Sequence, residues 1–187
     1  MSSSQELIGR SFTVTVALNL VEDPSVAFLA WTTTPWTFPA NLALTVNNDL
    51  TYVQIHDVER DRKFILCDQL LNALYKDPAK AMKEKKYTVL ETYKGSDLVG
   101  KEYTPVFPYF AEQYKGRAFK IVDDPYVTAT SGTGIVSNAP AFGDDDHRIA
   151  IAHGIVRKDE MPPCPIDERG IFTEEVSDFK GVYVKVS

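Results

Sequence analysis

Several short segments of the chain alternate apolar and polar side chains, which is the pattern of half-buried β-strands. The first covers residues 11–20, SFTVTVALNL, and is rich in β-branched residues. Residues 26–31 form a nearly continuous apolar run that ends in three threonines, as a central strand entering a site would. Further strands are predicted at residues 41–46, 51–55, 88–93, 106–110 and 119–122, and an uncompleted one at 181–186.

Two other segments carry apolar residues at helical spacing. Residues 68–75 place three leucines on one face before Asp77-Pro78 interrupts the pattern. Residues 144–155 begin with three aspartates, which suit the positive end of a helix dipole, and Gly154 is a candidate C-cap. Because strands and helices do not alternate regularly, the sequence predicts one α/β (α+β) domain, a barrel-like mixed β-sheet with a few peripheral helices.

Length and composition are those of one globular domain. The chain has 187 residues, of which 44% are hydrophobic and 25% charged. No run reaches the ~18 apolar residues of a membrane span, and the N-terminus lacks the pattern of a signal peptide. Cys67 and Cys164 are far apart and outside any ligand motif, so both are predicted to be buried thiols. We therefore expect a cytoplasmic protein without a membrane partner.

The charge balance limits the contacts with nucleic acid. Twenty Lys and Arg against 26 Asp and Glu give a net charge of −6, the wrong sign for broad binding of DNA or RNA. Any contact with RNA is expected to be local or supplied elsewhere. The basic cluster of Lys80, Lys83, Lys85 and Lys86 is interpreted as a solvated helix face, with a contact to the tRNA backbone as the minority alternative.

The threonine cluster, Thr32, Thr33 and Thr34, is the first segment that could carry chemistry. Three hydroxyls follow an apolar strand, and Pro35 keeps Thr34 out of helical geometry. Aromatic and proline residues flank the threonines in WTTTPWTFPAN. Rigid aromatic side chains around a few polar groups are typical of a small-molecule pocket. The alternative is that threonine simply favours strands.

Two more segments are candidates. Gly132 and Gly134 in SGTGIV could present backbone amides to a ligand, although a tight turn between strands explains a lone GxG equally well. In FGDDDHR, a buried carboxylate could bind an ammonium group, or the acids could serve the helix dipole alone. A metal site is disfavoured, since consecutive helical residues cannot all face one ion. No motif of a nucleophilic hydrolase occurs.

Together, these segments resemble the editing domain inserted in isoleucyl-tRNA synthetase. The resemblance is carried by WTTTPWTFPANLAL, by GTGIV followed by AP, and by FGDDDHR. Thr34-Pro35 stands where the related valyl and leucyl enzymes carry Arg-Pro. The segment IVRKDEMPPCPIDERGIFTEEVSDFKGVYVK resembles the eukaryotic cytosolic form. Residues 11–187 are expected to be this domain, excised from a longer synthetase, and residues 1–10 a disordered or added start.

The resemblance implies hydrolysis of mischarged Val-tRNA(Ile), because one methylene, worth only ~1–3 kcal/mol, cannot exclude valine from a pocket sized for isoleucine. Asp146 would hold the ammonium group of the substrate and act in catalysis with Thr33 and Thr34. The predicted substrate-binding residues are Thr32, Thr33, Thr34, Trp36, Thr37, Asn41, Gly134, Ser137 and Asp146. No metal or cofactor is expected for editing, since ATP and Mg²⁺ belong to the synthetic core, whose HIGH and KMSKS motifs are absent from this sequence.

Expected partners are tRNA(Ile) carrying valine, bound through its 3′-terminal adenosine, and the remainder of the synthetase chain. The protein is expected to be a monomer.

One departure from the family pattern is Ser137, where histidine is common. Either the serine replaces a positioning group, or editing is weakened, or the position is simply tolerant. The alternative function is therefore a non-catalytic docking insertion for tRNA or protein.

Overall fold

A mixed β-sheet forms the centre of the structure, a computed structural model that describes residues 13–184. The strands of this part are β1 (Val14–Asn19), β2 (Val26–Thr32), β3 (Ala43–Val46), β4 (Thr51–Asp57), β5 (Arg62–Cys67), β6 (Tyr87–Lys94), β7 (Lys120–Asp123) and β8 (Val136–Asn138). Three short α-helices lie outside the sheet: α1 (Pro78–Lys83), α2 (Gly95–Leu98) and α3 (Asp144–Ala152). Turns of 3-10 helix cover Pro35–Ala40, Asp68–Ala73 and Ser177–Phe179. The predicted single domain with a curled mixed sheet and few helices is confirmed.

Strand β2 lies in the middle of the sheet, whose order is β6-β4-β5-β2-β8-β3-β7 with β1 also paired to β2. β2 is antiparallel to β1 and parallel to both β5 and β8. β8 continues to β3 in antiparallel register, with Leu44 opposite Ser137. Because parallel strands end at the same edge of a sheet, the segments that follow β2 and β8 are neighbours.

The sequence VAFLAWT of β2 does not alternate because both faces of the strand are buried. Phe28 and Ala30 belong to one apolar cluster, with Leu44 and Ile121, whereas Ala27 and Leu29 belong to a second cluster on the other side. The strand that enters the candidate site is therefore fixed on both sides.

Most predicted strands are confirmed, one is wrong, and two strands, β5 and β8, were not predicted. The apolar run of β5, Phe64 to Cys67, is shorter than that of β2, and β8 has three residues, so neither shows a clear pattern. The predicted strand at 106–110 is wrong. Pro105 and Pro108 have no N–H to donate to a sheet, and the ring of Phe107 instead stacks on Tyr109 at 5.9 Å.

The two predicted helices have different outcomes. The segment 68–75 is a 3-10 turn over Asp68–Ala73 with a kink at Leu70, because Leu70 packs into the first cluster while Leu71 packs against the second. The helix predicted at 144–155 is α3, and Gly154 just after it has the positive φ of +68° expected of a C-cap.

Three further predictions concern exposure and the chain ends. Cys67 is buried as predicted, but Cys164 is exposed, so that part of the prediction is wrong. In the described part of the chain, no helix is long and apolar enough to cross a membrane. Tyr183 pairs with Ile171 in an isolated bridge rather than a full strand. Residues 1–12 and 185–187 lie outside the described residues.

Substitution of Gly132 tests how closely its backbone packs against Trp31 of β2. Gly132 has a φ of +69°, and a Cβ there would lie 2.2 Å from the indole of Trp31. We expect Gly132→Ala to lower the free energy of unfolding by about 2–4 kcal/mol, since strain and overpacking act together. The measurement is denaturant unfolding. The control is Gly116→Ala, whose φ is +75° but whose Cβ meets nothing within 4 Å. Equal losses in both variants would contradict the packing argument.

Candidate functional site

The threonine cluster lies where β2 ends. Thr32, the last residue of β2, is buried, while Thr33 and Thr34 are exposed. The backbone N–H of Thr34 donates to Thr32 Oγ1 at 3.0 Å, and the two hydroxyl oxygens are 3.3 Å apart. The turn therefore holds its hydroxyls together at the carboxyl edge of β2, with Thr33 and Thr34 open to a ligand.

Thr37 and Trp36 belong to the 3-10 turn that follows. Thr37 is buried, and its hydroxyl donates to the carbonyl oxygen of Thr34 at 2.9 Å, so it braces the turn. Trp36 is half-buried and packs edge-on against Phe142, with ring centroids 5.2 Å apart. Its indole also contacts the apolar cluster of Phe172, Val176 and Val184. Trp36 thus joins the threonine segment to the loop that precedes α3.

Asn41 and Ser137 are joined directly, although 96 residues separate them in the sequence. Asn41 Nδ2 donates to Ser137 Oγ at 2.9 Å and to the carbonyl oxygen of Ala43 at 2.8 Å. The hydroxyl of Tyr103 donates to Asn41 Oδ1 at 2.5 Å. Sequence reasoning missed Tyr103, because no motif or spacing relates it to Asn41.

Gly134 lies apart from these side chains and packs in the core. Its φ is +74°, and a Cβ there would lie 2.5 Å from Cys67 Cβ. Its carbonyl oxygen accepts a hydrogen bond of 2.7 Å from the hydroxyl of Tyr52. Packing against Cys67 therefore explains why this position is a glycine. A part for Gly134 in substrate binding stays a prediction.

Asp146 is attached to the chain that leaves β8. It is the third residue of α3, and its Oδ2 accepts the backbone N–H of Ala139 at 2.9 Å. The side chain of Asn138 also donates to the carbonyl oxygen of Asp146 at 3.2 Å. Because β8 runs parallel to β2, these bonds place Asp146 at the edge that carries the threonine cluster.

The electrostatics of Asp146 differ from those of its neighbours. Burial raises the pKa of its carboxyl, the bond from Ala139 opposes this change, and the charge of Asp145 adds to it. Among residues 13–184, Asp146 forms no ion pair, whereas the exposed Asp145 pairs with Arg148 at 3.1 Å. A desolvated carboxylate without a counter-ion is suited to a cationic ligand.

Other places in the described part of the chain carry less chemistry. No group of three or more His, Cys, Asp or Glu in residues 13–184 could hold a metal ion. A hollow of about 720 Å³ is lined by residues that include Asp57, Arg60, Tyr75 and Lys80, and one of about 550 Å³ by residues that include Glu22 and Lys101. Neither hollow is lined by a predicted site residue.

The chain is similar in sequence to one segment of several curated enzymes. It is 51% identical to the cytoplasmic isoleucine-tRNA ligase of Saccharomyces cerevisiae over 172 residues, which cover 92% of this chain and 16% of that enzyme. The cytoplasmic isoleucine-tRNA ligase of Mus musculus is 48% identical over 172 residues, 92% of this chain and 13% of the enzyme. The chain therefore matches one segment of the cytoplasmic isoleucine-tRNA ligases over 92% of its own length. It spans about a sixth or less of the length of these relatives, and no family model matches it.

The chain also resembles solved structures in its fold. The crystal structure of GlLeuRS-CP1 aligns with a TM-score of 0.58 at 18% identity, covering 83% of this chain and 70% of that chain. The P. knowlesi cytosolic leucyl-tRNA synthetase editing domain aligns with a TM-score of 0.54 at 13% identity, covering 72% and 59%. At these identities the likeness concerns the fold alone. The fold is that of synthetase editing domains, as the sequence resemblance implied.

The pH dependence of stability tests the state of Asp146. Because folding raises the pKa of the Asp146 carboxyl, its ionised form lowers the free energy of unfolding. This loss of stability is absent at a pH below the pKa of the unfolded chain and is complete at a pH above the pKa of the folded chain. We expect Asp146→Asn to gain stability relative to the unmodified chain as the pH rises from about 3 to about 7. Denaturant unfolding at each pH measures the difference. Asp145→Asn should show no such gain, and a gain of the same size there would contradict the assignment.

Proposed function

We propose that this chain is an editing domain that hydrolyses the ester of mischarged Val-tRNA(Ile). The observation that carries the proposal is the half-buried carboxylate of Asp146, which has no counter-ion in the described residues and lies at the edge shared with the threonine cluster. An aminoacyl ester presents an ammonium group beside a reactive carbonyl, so one acid and several hydroxyls match its chemistry.

The proposed reaction needs no covalent intermediate on the protein. Asp146 binds the ammonium group and so fixes the ester, while the hydroxyls of Thr33 and Thr34 orient a water molecule at the carbonyl carbon. Water adds to that carbon and gives one proton to a neighbouring ribose hydroxyl, which passes its own proton to the ribose ester oxygen as the ester C–O bond breaks. Hydrogen-bond donors stabilise the oxyanion that forms. Free valine and tRNA are the products, and no cofactor takes part.

Selectivity in this proposal comes from size. Thr32, Thr37 and Trp36 form walls that accept an isopropyl side chain and exclude the larger side chain of isoleucine, because an added methylene in a packed pocket costs ~1–3 kcal/mol. The partner is tRNA(Ile), bound locally through its 3′-terminal adenosine, since the net charge of −6 opposes a broad RNA surface. In the cytoplasm, the remainder of a synthetase chain would supply the other tRNA contacts and the ATP- and Mg²⁺-dependent core, in a monomeric enzyme.

A docking module without hydrolytic activity is the second candidate. Ser137 favours it, because a serine hydroxyl cannot take up a proton near neutral pH as the histidine common at this position could. The threonine cluster and Asp146 oppose it, since a docking surface has no use for a half-buried carboxylate that has no counter-ion among residues 13–184.

Two isosteric variants distinguish these functions. We expect Asp146→Asn to lower kcat/KM for deacylation of Val-tRNA(Ile) at least about a hundredfold, because the ammonium group loses its counter-charge. Asp145→Asn, one residue away and exposed, should remain within about twofold of the unmodified chain. Release of radiolabelled valine measures both rates, and Ile-tRNA(Ile) serves as the substrate that should be spared.

The outcomes separate the proposals clearly. Hydrolysis of the valyl ester alone, lost in Asp146→Asn, supports editing. Equal hydrolysis by both variants would reject the role of Asp146. Binding of tRNA without hydrolysis of either ester would favour the docking module.

A further inference from the structure

Tyr103 belongs to none of the site motifs, yet its side chain is buried against the site. It is 1% exposed, and its ring packs edge-on against Phe119 with centroids 6.1 Å apart. Among residues 13–184, its hydroxyl makes one hydrogen bond, which it donates to Asn41 Oδ1 at 2.5 Å. Burial holds the pKa of Tyr103 well above its ordinary value, so the hydroxyl keeps its proton and acts as a donor.

The orientation of the Asn41 amide is fixed by the groups around it. The backbone carbonyl oxygens of Ala43 and Asn138 lie 2.8 and 3.3 Å from Nδ2. A carbonyl oxygen only accepts, so the amide nitrogen must face both of them and Oδ1 must face Tyr103. The same nitrogen lies 2.9 Å from Ser137 Oγ and donates to it: its two protons serve the shorter bonds, to Ala43 and Ser137, and the longer contact to Asn138 shares one of them.

This arrangement determines what the hydroxyl of Ser137 can do. A serine hydroxyl has one proton and two lone pairs, and the bond from Asn41 occupies a lone pair. Among residues 13–184, the hydroxyl of Ser137 donates no hydrogen bond, which leaves its proton for an acceptor on a ligand. Ser137 lies on β8, next to β2 and directly before the segment that holds Asp146.

We propose that Tyr103 is a positioning residue, which acts through Asn41 to hold the hydroxyl of Ser137 as a hydrogen-bond donor toward the aminoacyl ester. We call the two hydrogen bonds from Tyr103 to Asn41 and from Asn41 to Ser137 the relay. The relay is a property of the free chain, whereas the identity of the acceptor on the ligand rests on the proposed function. The relay explains how serine serves at this position: it supplies a proton-bearing donor whose protonation does not change near neutral pH.

The first experiment observes the relay without any substrate. In the ¹⁵N-labelled chain, Tyr103→Phe should shift the side-chain amide resonances of Asn41 and speed their hydrogen exchange roughly tenfold, since Oδ1 loses its donor. Tyr75→Phe is the matched control: its buried hydroxyl donates to Asp57 Oδ2 at the same 2.5 Å, away from the site. Unchanged Asn41 resonances in Tyr103→Phe would overturn the proposal.

The relay is also tested from its other end. Ser137→Ala should move one of the two Asn41 amide protons and leave the backbone spectrum of the core in place, because only the bond to Oγ is lost. If neither proton moves, the proposal fails. This result decides the matter even if Tyr103→Phe does not fold.

The second experiment measures deacylation of Val-tRNA(Ile) in a double-mutant cycle. Tyr103→Phe should lower kcat roughly tenfold while KM stays within about twofold, and it should have no further effect in the Ser137→Ala background. Tyr75→Phe should leave kcat unchanged. If the two substitutions lower kcat by factors that multiply in the double variant, Tyr103 acts independently of Ser137, and the relay is overturned. An inactive unmodified chain would count against the proposed function, and the amide resonances would still decide the relay.

Discussion

The parallel pairing of β2 with β8 is the constraint on which the candidate site depends. Trp31 lies opposite Val136, so both strands end at one edge of the sheet. The threonine cluster follows the first strand, and the residues that hold Asp146 follow the second. Segments more than a hundred residues apart in the sequence therefore lie at the same edge of the sheet. Asn41, on the far side of β8, joins the same edge through Ser137.

The carboxylate of Asp146 is an energetic cost that the fold tolerates. Its Oδ2 accepts one backbone hydrogen bond, and partial burial removes water that would otherwise stabilise the charge. The neighbouring Asp124, by contrast, is paired with Arg148, and its pKa is lowered. A carboxylate without a counter-ion, close to carboxylates that are paired with arginine, is a common sign of a binding site, because the ligand supplies the missing positive charge.

The sequence predicted those parts of the fold that depend on local patterns. Alternation predicted β1, β4 and β6, and the aspartates with Gly154 predicted α3. It did not predict β5, whose apolar run is shorter than that of β2, or β8, which has three residues. The strand prediction at 106–110 was wrong because Pro105 and Pro108 cannot donate to a sheet and Phe107 packs edge-on against the distant Phe179.

The motifs also predicted site residues. They predicted the threonines, Asn41, Ser137 and Asp146, whose segments lie at the ends of β2 and β8, and the part of these residues in binding stays a prediction. They could not assign Thr37 to bracing the turn, or Gly134 to packing on Cys67, because both roles depend on contacts with other parts of the chain. The hydrogen bond from Tyr103 to Asn41 spans 62 residues and leaves no trace in sequence spacing.

The most direct test of the account is the carboxyl pKa of Asp146, measured by ¹³C NMR in the presence and absence of the non-hydrolysable 3′-valylamido-3′-deoxyadenosine. The account predicts a value above the ordinary 3.8 in the free chain and a fall below it when the ammonium group is bound. A saturating ligand that leaves this pKa unchanged would show that Asp146 does not bind the ammonium group, and would contradict the central claim.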